Sequence, residues 1–393
     1  PTPLEELVRF SEKAGVRVRI KRDDLLPLGG NKIRKLDYLM EEAVRAGADT
    51  IITASTNQCC HNSMTVLLAA REGMACRVIM ESWGDTRYRY ETASNHTMIE
   101  FCGPEEVSVE TSLPSGPVEA MPEAIRMAEE VRSNGGRPWF LSRGGSGPLG
   151  AVGYVRCAAE LIEQWGEDLP EAVVCPCGIG GTQAGLTVGL RLMGCQVPVV
   201  GIGVTGKNEA DMEASVRKQC RELTDFLGTE PIHERAVRCI DGYAGQGYGK
   251  PSRQQAVWMK ALAVSEGILT DPVYSGKALY GLCGLAARRE YEGPGGLLFL
   301  HTGGLQLFYD FFSLSGSKCL PQIFVSGIFT SPFHVVTDRA FEEGCFLRDN
   351  TESGTEVISF VILDILTIQK YSSFGCIVES GDQIYQSGFS ASC

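Results

Sequence analysis

The chain has 393 residues, 44% hydrophobic and 21% charged, enough for a sizeable core and for two domains. Its formal net charge is −12 and no basic tract runs through it, which argues against nucleic acid as a partner. Its fifteen cysteines are scattered, and no uninterrupted apolar stretch reaches membrane-spanning length.

Leu4 to Ala14 reads as a short helix and Val16 to Ile20 as a strand. A charged turn, Lys21-Arg22-Asp23-Asp24, leads to Gly29-Gly30-Asn31-Lys32-Ile33-Arg34-Lys35-Leu36, where two glycines permit a sharp turn and Asn31 stands at a helix cap position. The Lys32 helix runs to about Ala46. Next come a strand at Thr50 to Thr53, a polar loop at Ser55 to Ser63, a helix at Met64 to Arg71 and a strand at Cys76 to Met80. Helices over Ala93 to Phe101 and Ala120 to Ser133 alternate with strands at Val107 to Val109 and Pro138 to Leu141. A helix over Ala151 to Trp165 precedes the strand Ala172 to Val174, the turn Gly178 to Gly181 and the helix Thr182 to Leu192. Then follow a strand at Val197 to Ile202, long helices at Glu209 to Leu227 and Ser252 to Glu266 around a strand near Val237, a helix at Lys277 to Tyr291 and a strand at Gly296 to Leu300.

This alternation predicts an α/β protein with parallel sheets covered by helices on both faces. The units are too many for one compact sheet. Two domains are expected, each built on a mostly parallel twisted sheet, with a ligand cleft between them at the carboxyl ends of the strands. Residues 1–44 and 151–312 are assigned to the larger domain and 45–150 to the smaller. Residues 313–393 differ, being poor in Lys and Arg, with one strongly apolar run, Val357 to Ile368.

Lys32 falls in the first turn of its helix, where the positive end of the dipole disfavours a cation and makes the neutral amine easier to reach. A neutral lysine amine forms an imine with an aldehyde. By itself the run Lys32, Arg34, Lys35 also reads as the solvated face of a surface helix. A second stretch, Gly178-Ile179-Gly180-Gly181-Thr182-Gln183-Ala184-Gly185, joins a strand to a helix. Its amides and the Thr182 hydroxyl can converge on one anion. No Gly-Lys-Ser/Thr follows and the glycine spacing fails the dinucleotide fingerprint, so a lone monophosphate fits best. A reactive lysine with a single-phosphate cradle implies pyridoxal 5′-phosphate.

Five blocks carry a resemblance: 29–36, 178–185, Gly247-Tyr248-Gly249, Asp271-Pro272-Val273-Tyr274-Ser275-Gly276-Lys277 and His301-Thr302-Gly303-Gly304. Over residues 1–312 the chain resembles the tryptophan-synthase-β-like, fold type II, pyridoxal-phosphate enzymes. Within them it is similar to the group of D-cysteine desulfhydrase and 1-aminocyclopropane-1-carboxylate deaminase. The resemblance implies that Lys32 is the imine-forming lysine, and that Tyr248 and Tyr274 line the substrate site. It also implies that Gly178, Ile179, Gly180, Gly181 and Thr182 hold the phosphate. The deaminase pattern has glutamate beside the pyridine nitrogen where this chain has Ser275. A hydroxyl there makes a weaker electron sink and points to β-elimination rather than ring opening. Thr302 is a second hydroxyl expected near the ring edge.

The family usually reads Gln-Ser-Asn-His or Gln-Ser-Asn-Gln where this chain reads Gln58-Cys59-Cys60-His61. Cys59 then replaces a serine proposed as a nucleophile, and Cys60 an asparagine that binds the cofactor's phenolate oxygen. Cys60 is expected to hold the ring less firmly, since a thiol is a poor donor. Cys59, at a helix start, is expected to ionise readily. Gln58, Cys59 and His61 are expected near the substrate. The resemblance implies a carbon–sulfur lyase acting on a small amino acid, D-cysteine foremost. The cyclopropane deaminase, an L-cysteate sulfo-lyase and a cofactor-binding protein with little activity are the alternatives. A cytoplasmic homodimer with reduced thiols and no metal is expected.

Overall fold

The structure, a computed structural model, describes residues 1–56, 59–83, 94–111 and 117–308. Gln58 and the Val357–Ile368 run lie outside these. The chain begins with β1 (Leu4–Glu6), α1 (Val8–Ala14), β2 (Val18–Arg22) and α2 (Lys32–Arg45). It continues through β3 (Thr50–Thr56), α3 (Cys60–Arg71), β4 (Ala75–Trp83), α4 (Ser94–Cys102), β5 (Glu105–Thr111), α5 (Pro122–Ser133) and β6 (Pro138–Leu141). Then come α6 (Pro148–Trp165), β7 (Ala172–Cys177), α7 (Gly181–Leu192), β8 (Val199–Gly203), α8 (Glu209–Leu227) and β9 (Val237–Ile240). Helices α9 (Arg253–Glu266) and α10 (Ser275–Ala287) precede the closing strand β10 (Leu297–His301).

Two sheets result. One has six strands in the order β1-β2-β10-β7-β8-β9, the other four in the order β5-β4-β3-β6. Every pairing is parallel except β1 with β2. Alternate side chains feed opposite layers, as the pleat requires. In β10, Leu297 and Phe299 enter the cluster that holds Leu279 and Leu282 of α10, while Leu298 and Leu300 enter the one that holds Tyr154 and Leu161 of α6. In the smaller sheet, Ile51 packs with α2 and α3, and Ile52 with α5. Helices therefore cover both faces of both sheets.

The expected single helix over Leu4–Ala14 is a strand followed by a helix. Leu4 to Glu6 pair antiparallel with Lys21 to Arg19, so ladder bonds there replace helical ones. The last helix begins at Ser275, two residues before the sequence suggested. The reason is Asp271, whose carboxylate accepts the Val273, Tyr274 and Ser275 amides at 2.7, 2.6 and 2.8 Å and caps the helix start.

The Arg34 and Lys35 side chains do not form a solvated face: they are 7% and 3% exposed. Arg34 grips both Asp23 oxygens and both Glu160 oxygens at 2.8 Å. Asp23 also accepts from Thr2 at 2.9 Å and from the Tyr154 hydroxyl at 3.1 Å. This network ties the first turn of α2 to α6 and to the chain ahead of α2.

Candidate active site

A cavity of about 780 Å³ opens where strands of both sheets end. The segments after β2, β7, β8 and β10 line it from the larger sheet, and those after β3 and β6 from the smaller. This is where a sheet built from crossover units exposes loop amides and helix starts together. Arg143, after β6, closes one wall in a two-bond ion pair with Glu81 of β4, at 2.7 and 2.8 Å.

Lys32 is the first residue of α2 and reaches this cavity. The turn before it is tight, with Leu28 at φ 62° and Gly29 at φ 74°, whereas Gly30 is extended. The turn is fastened to the His301–Gly304 segment. The Asn31 amide donates to the Thr302 carbonyl at 3.1 Å, and Gly30 pairs with Gly303. Gly303 has φ 94°, and a Cβ there would sit 2.3 Å from the Gly29 carbonyl oxygen, so only glycine lets the two turns touch. Asn31 does not cap α2 as expected. It already has helical angles, φ −65° and ψ −14°, and its side chain makes no capping bond.

The glycine turn after β7 lines the same cavity. Gly180 has φ 108° and opens α7, whose first turn faces inward. The amides of Gly178, Ile179 and Gly180 donate no hydrogen bond among the described residues. Two further groups beside the turn lack hydrogen-bond partners among the described residues. Thr205 lines the cavity with its hydroxyl buried and unbonded. Lys35 also lines it, with no carboxylate or hydrogen-bond partner among the described residues. Its Nζ lies 3.2 Å from where a side chain at Gly181 would begin. Burial first, and the Lys32 charge second, push Lys35 well below the ordinary lysine range. Lys32 Nζ and Ile179 Cδ1 lie 3.5 and 3.7 Å from the point where a side chain at Gly144 would begin. Amine and glycine turn are thus within reach of one small ring compound carrying an anionic tail.

Tyr248 and Tyr274 meet in this cavity, their hydroxyls hydrogen-bonded to each other and their rings edge to face at 5.7 Å. Thr56 lies 3.4 Å from the Tyr248 hydroxyl. Burial first, and then the Cys59 charge, raise both phenols above the ordinary tyrosine value, so they hold their protons at neutral pH. Cys59 and Cys60 also line the cavity. A hydrogen bond from Cys60 holds the Cys59 thiol well below its usual range, against the opposing effect of burial. Lys32, Ser55 and the His61 amide act in the same direction as Cys60. Cys60 moves up, because its bond to Cys59 and then its burial both favour the thiol.

Thr302 lines the cavity, whereas Ser275 and His61 do not. Ser275 is fully buried behind the wall. Its hydroxyl bonds Asp271, accepts the Asp271 amide at 2.9 Å and lies 3.2 Å from the Gly303 carbonyl. His61 is fully buried with Nε2 2.9 Å from the Thr53 hydroxyl, and burial lowers it to about 3, leaving it neutral. Sequence reasoning missed Lys35, Thr205 and Asp271 as cavity residues. Lys35 had a usable signal, since three residues from Lys32 is one helix face.

The comparisons bear directly on this arrangement. Residues 1–303 match the family model described as pyridoxal-phosphate dependent enzyme. The chain belongs to that family. It is 35% identical to D-cysteine desulfhydrase of Yersinia enterocolitica over 314 residues, covering 79% of this chain and 93% of the relative. It is equally 35% identical to the enzyme of that name from Salmonella paratyphi C, over 315 residues, 79% of this chain and 94% of that one. Among solved structures it is similar to one described as an ACC deaminase homologue, at TM-score 0.70 and 33% identity over 79% of this chain and 92% of the other. As a pyridoxal-phosphate-dependent lyase the chain needs a counter-charge for a phosphate and an amine for an aldehyde. The free amides of the glycine turn, the unbonded Thr205 hydroxyl and the amines of Lys35 and Lys32 line one cavity, a donor set that fits such a group.

Proposed function

We propose that this enzyme removes a β-substituent from a small amino acid, D-cysteine foremost, giving pyruvate, ammonia and hydrogen sulfide. The observation carrying this reading is the 35% identity to D-cysteine desulfhydrases together with one cavity lined by Lys32, the glycine turn and the tyrosine pair. Pyridoxal phosphate, when bound, supplies an electron sink for the charge left at the α-carbon. Lys32 would hold the cofactor through its amine, and that amine, when free, would take the α-proton. Gly178, Ile179, Gly180, Gly181 and Thr182 hold the phosphate, with Thr205 and Lys35 beside them. The amides at the start of α3 hold the substrate carboxylate, a role in which Gln58 and the His61 backbone join. Tyr274, in contact with Tyr248, has a proton to give to the departing sulfur. Cys59 lines the same cavity, its ionised form favoured by Cys60 and Lys32, and Cys60 would bind the cofactor's phenolate oxygen with a weak donor. Thr302 would meet the cofactor's ring from the His301–Gly304 turn, with Asp271 lining the same cavity and Ser275 behind its wall.

The domain division follows the sheets. Strands of the six-stranded sheet come from 4–22 and 172–301, and those of the four-stranded sheet from 50–141. This supports 1–44 and 151–312 as one domain and 45–150 as the other. A cytoplasmic homodimer is the assembly the family resemblance implies, and light scattering reads it.

The deciding experiment offers D-cysteine, L-cysteine, L-cysteate and 1-aminocyclopropane-1-carboxylate to cofactor-loaded protein. Pyruvate, sulfide, sulfite and 2-oxobutyrate are measured. Equimolar pyruvate and sulfide from D-cysteine is the expected result. A higher kcat/KM for the cyclopropane acid, read as 2-oxobutyrate, replaces the reading with a deaminase. No product from any of the four identifies a cofactor-binding protein of little activity.

Lys35 gives a separate test. Lys35→Met should weaken pyridoxal phosphate retention by about tenfold to a hundredfold, the worth of one charge-assisted hydrogen bond. Binding of pyridoxal, which has no phosphate, should be unchanged. Equilibrium dialysis with the two compounds checks both statements.

A further inference from the structure

Lys277 is the third residue of α10 and is fully buried. No carboxylate is in ion-pair contact with its ammonium among the described residues, and the Asp271 charge acts on it without touching it. It donates to two backbone carbonyls, Val204 at 3.1 Å and Gly247 at 2.7 Å. A buried ammonium surrounded by carbonyl dipoles is costly compared with an aliphatic side chain of equal size. Its position shows what the charge does. Val204 precedes Thr205, and Gly247 precedes Tyr248; both of these following residues line the cavity. The two segments touch beside the ammonium, where a side chain at Gly206 would begin 3.6 Å from the Gly247 Cα. Gly247 itself has φ 118°, an open conformation that its own sequence does not enforce. Tyr274 stands at the head of the helix that carries Lys277.

We propose that Lys277 is a tethered monovalent cation. It draws the Val204 and Gly247 carbonyls together and so sets Tyr248 against Tyr274, and a free ammonium or potassium ion can replace it once the side chain is cut back. It is a positioning residue. This rests on the reading of Tyr248 and Tyr274 as the phenols that face the substrate. The carbonyl pair is the part of the site that needs a positive charge, and the lysine stem supplies only the tether. Shortening the stem leaves a space lined by two oxygens, which a small cation can enter and a bulky one cannot.

The test compares Lys277→Ala and Lys277→Met as holoenzymes at constant ionic strength. Ammonium or potassium chloride is varied against tetramethylammonium chloride. Melting temperature, bound pyridoxal phosphate and the kinetics on D-cysteine are read together. Lys277→Ala should keep its cofactor and lose about tenfold or more in kcat/KM. Ammonium and potassium should restore most of that loss and raise its melting temperature, while tetramethylammonium does neither. Lys277→Met, whose side chain fills the space, should respond to none of the three. A melting temperature of Lys277→Ala that ignores every cation overturns the proposal, as does Lys277→Ala with wild-type kinetics. Tyr248→Phe is run alongside. Wild-type kinetics in that variant overturn the reading of the tyrosines alone, because the cation-dependent melting of Lys277→Ala is measured without turnover.

Discussion

Lys32→Ala is expected to abolish covalent attachment of pyridoxal phosphate and to lower turnover by about ten-thousandfold or more. The argument is local. Lys32 is the first residue of α2 and half-buried, with its side chain at the cavity rather than in the core. Truncation therefore removes the amine without opening a packing defect. The turn that presents it is held by backbone contacts, the Asn31 amide on Thr302 and the Gly30–Gly303 pair, which alanine leaves intact. Intact mass after borohydride reduction reads the attachment, and pyruvate formation reads the turnover. A reduced adduct that survives in Lys32→Ala, or turnover near the wild-type rate, shows that the amine is elsewhere. Lys35→Met separates the two lysines: it should keep the reducible adduct at saturating cofactor and lose only affinity.

The largest loss of stability is expected from Arg34→Met, about 3–5 kcal/mol, because it breaks a buried ion pair from one side. Asp23 is 0% exposed and would lose both of its guanidinium bonds, leaving only the Thr2 and Tyr154 hydroxyls among the described residues. Denaturant unfolding at neutral pH measures the difference. The same network predicts an acid limb. Burial alone would raise Glu160, but the bonds from Arg34 and Lys21 outweigh it and hold the carboxyl down, from 4.5 to about 2. A depressed carboxyl stabilises the fold above its unfolded value, and that stabilisation is lost as pH falls from 4.5 towards 2. Arg34→Met should flatten the slope of stability against pH in that window. An unchanged slope would show that Lys21, at 3.0 Å, carries the Glu160 interaction by itself.

The burial of Arg34 and Lys35 shows where reading the chain stops being sufficient. Their spacing announced a helix, and the helix is there, but charge at a helix start reads as solvated until one knows what packs on it. Here α6 brings Glu160 and Tyr154 over that turn, and the glycine loop after β7 brings its amides. Both elements are more than a hundred residues away in the chain. The Cys59-Cys60 pair behaves likewise. Its departure from the family pattern is visible in the residues, while the inequality of the two thiols arises first from the hydrogen bond between them, Cys60 donating to Cys59, and then from the Ser55 bond that Cys59 alone receives. Ser275 was singled out for its hydroxyl. The fold turns that hydroxyl towards Asp271, a residue four positions earlier that the motif contains but does not explain.

By itself the sequence determined the periodic features. Strand and helix alternation set the α/β class, because apolar period and glycine punctuation are local signals. The Gly-Gly-Asn-Lys and Gly-Ile-Gly-Gly-Thr blocks determined which amine and which anion cradle to look for, since both roles depend on backbone shape over a few residues. Only the tertiary structure decided that these two blocks share one cavity, that Lys35 and Thr205 line it with them and that His61 stands outside it. It also decided that Lys277 bridges two distant carbonyls. Those facts depend on which strand lies beside which and on what is shut away from water. Neither is encoded within any window short enough to be read as a motif.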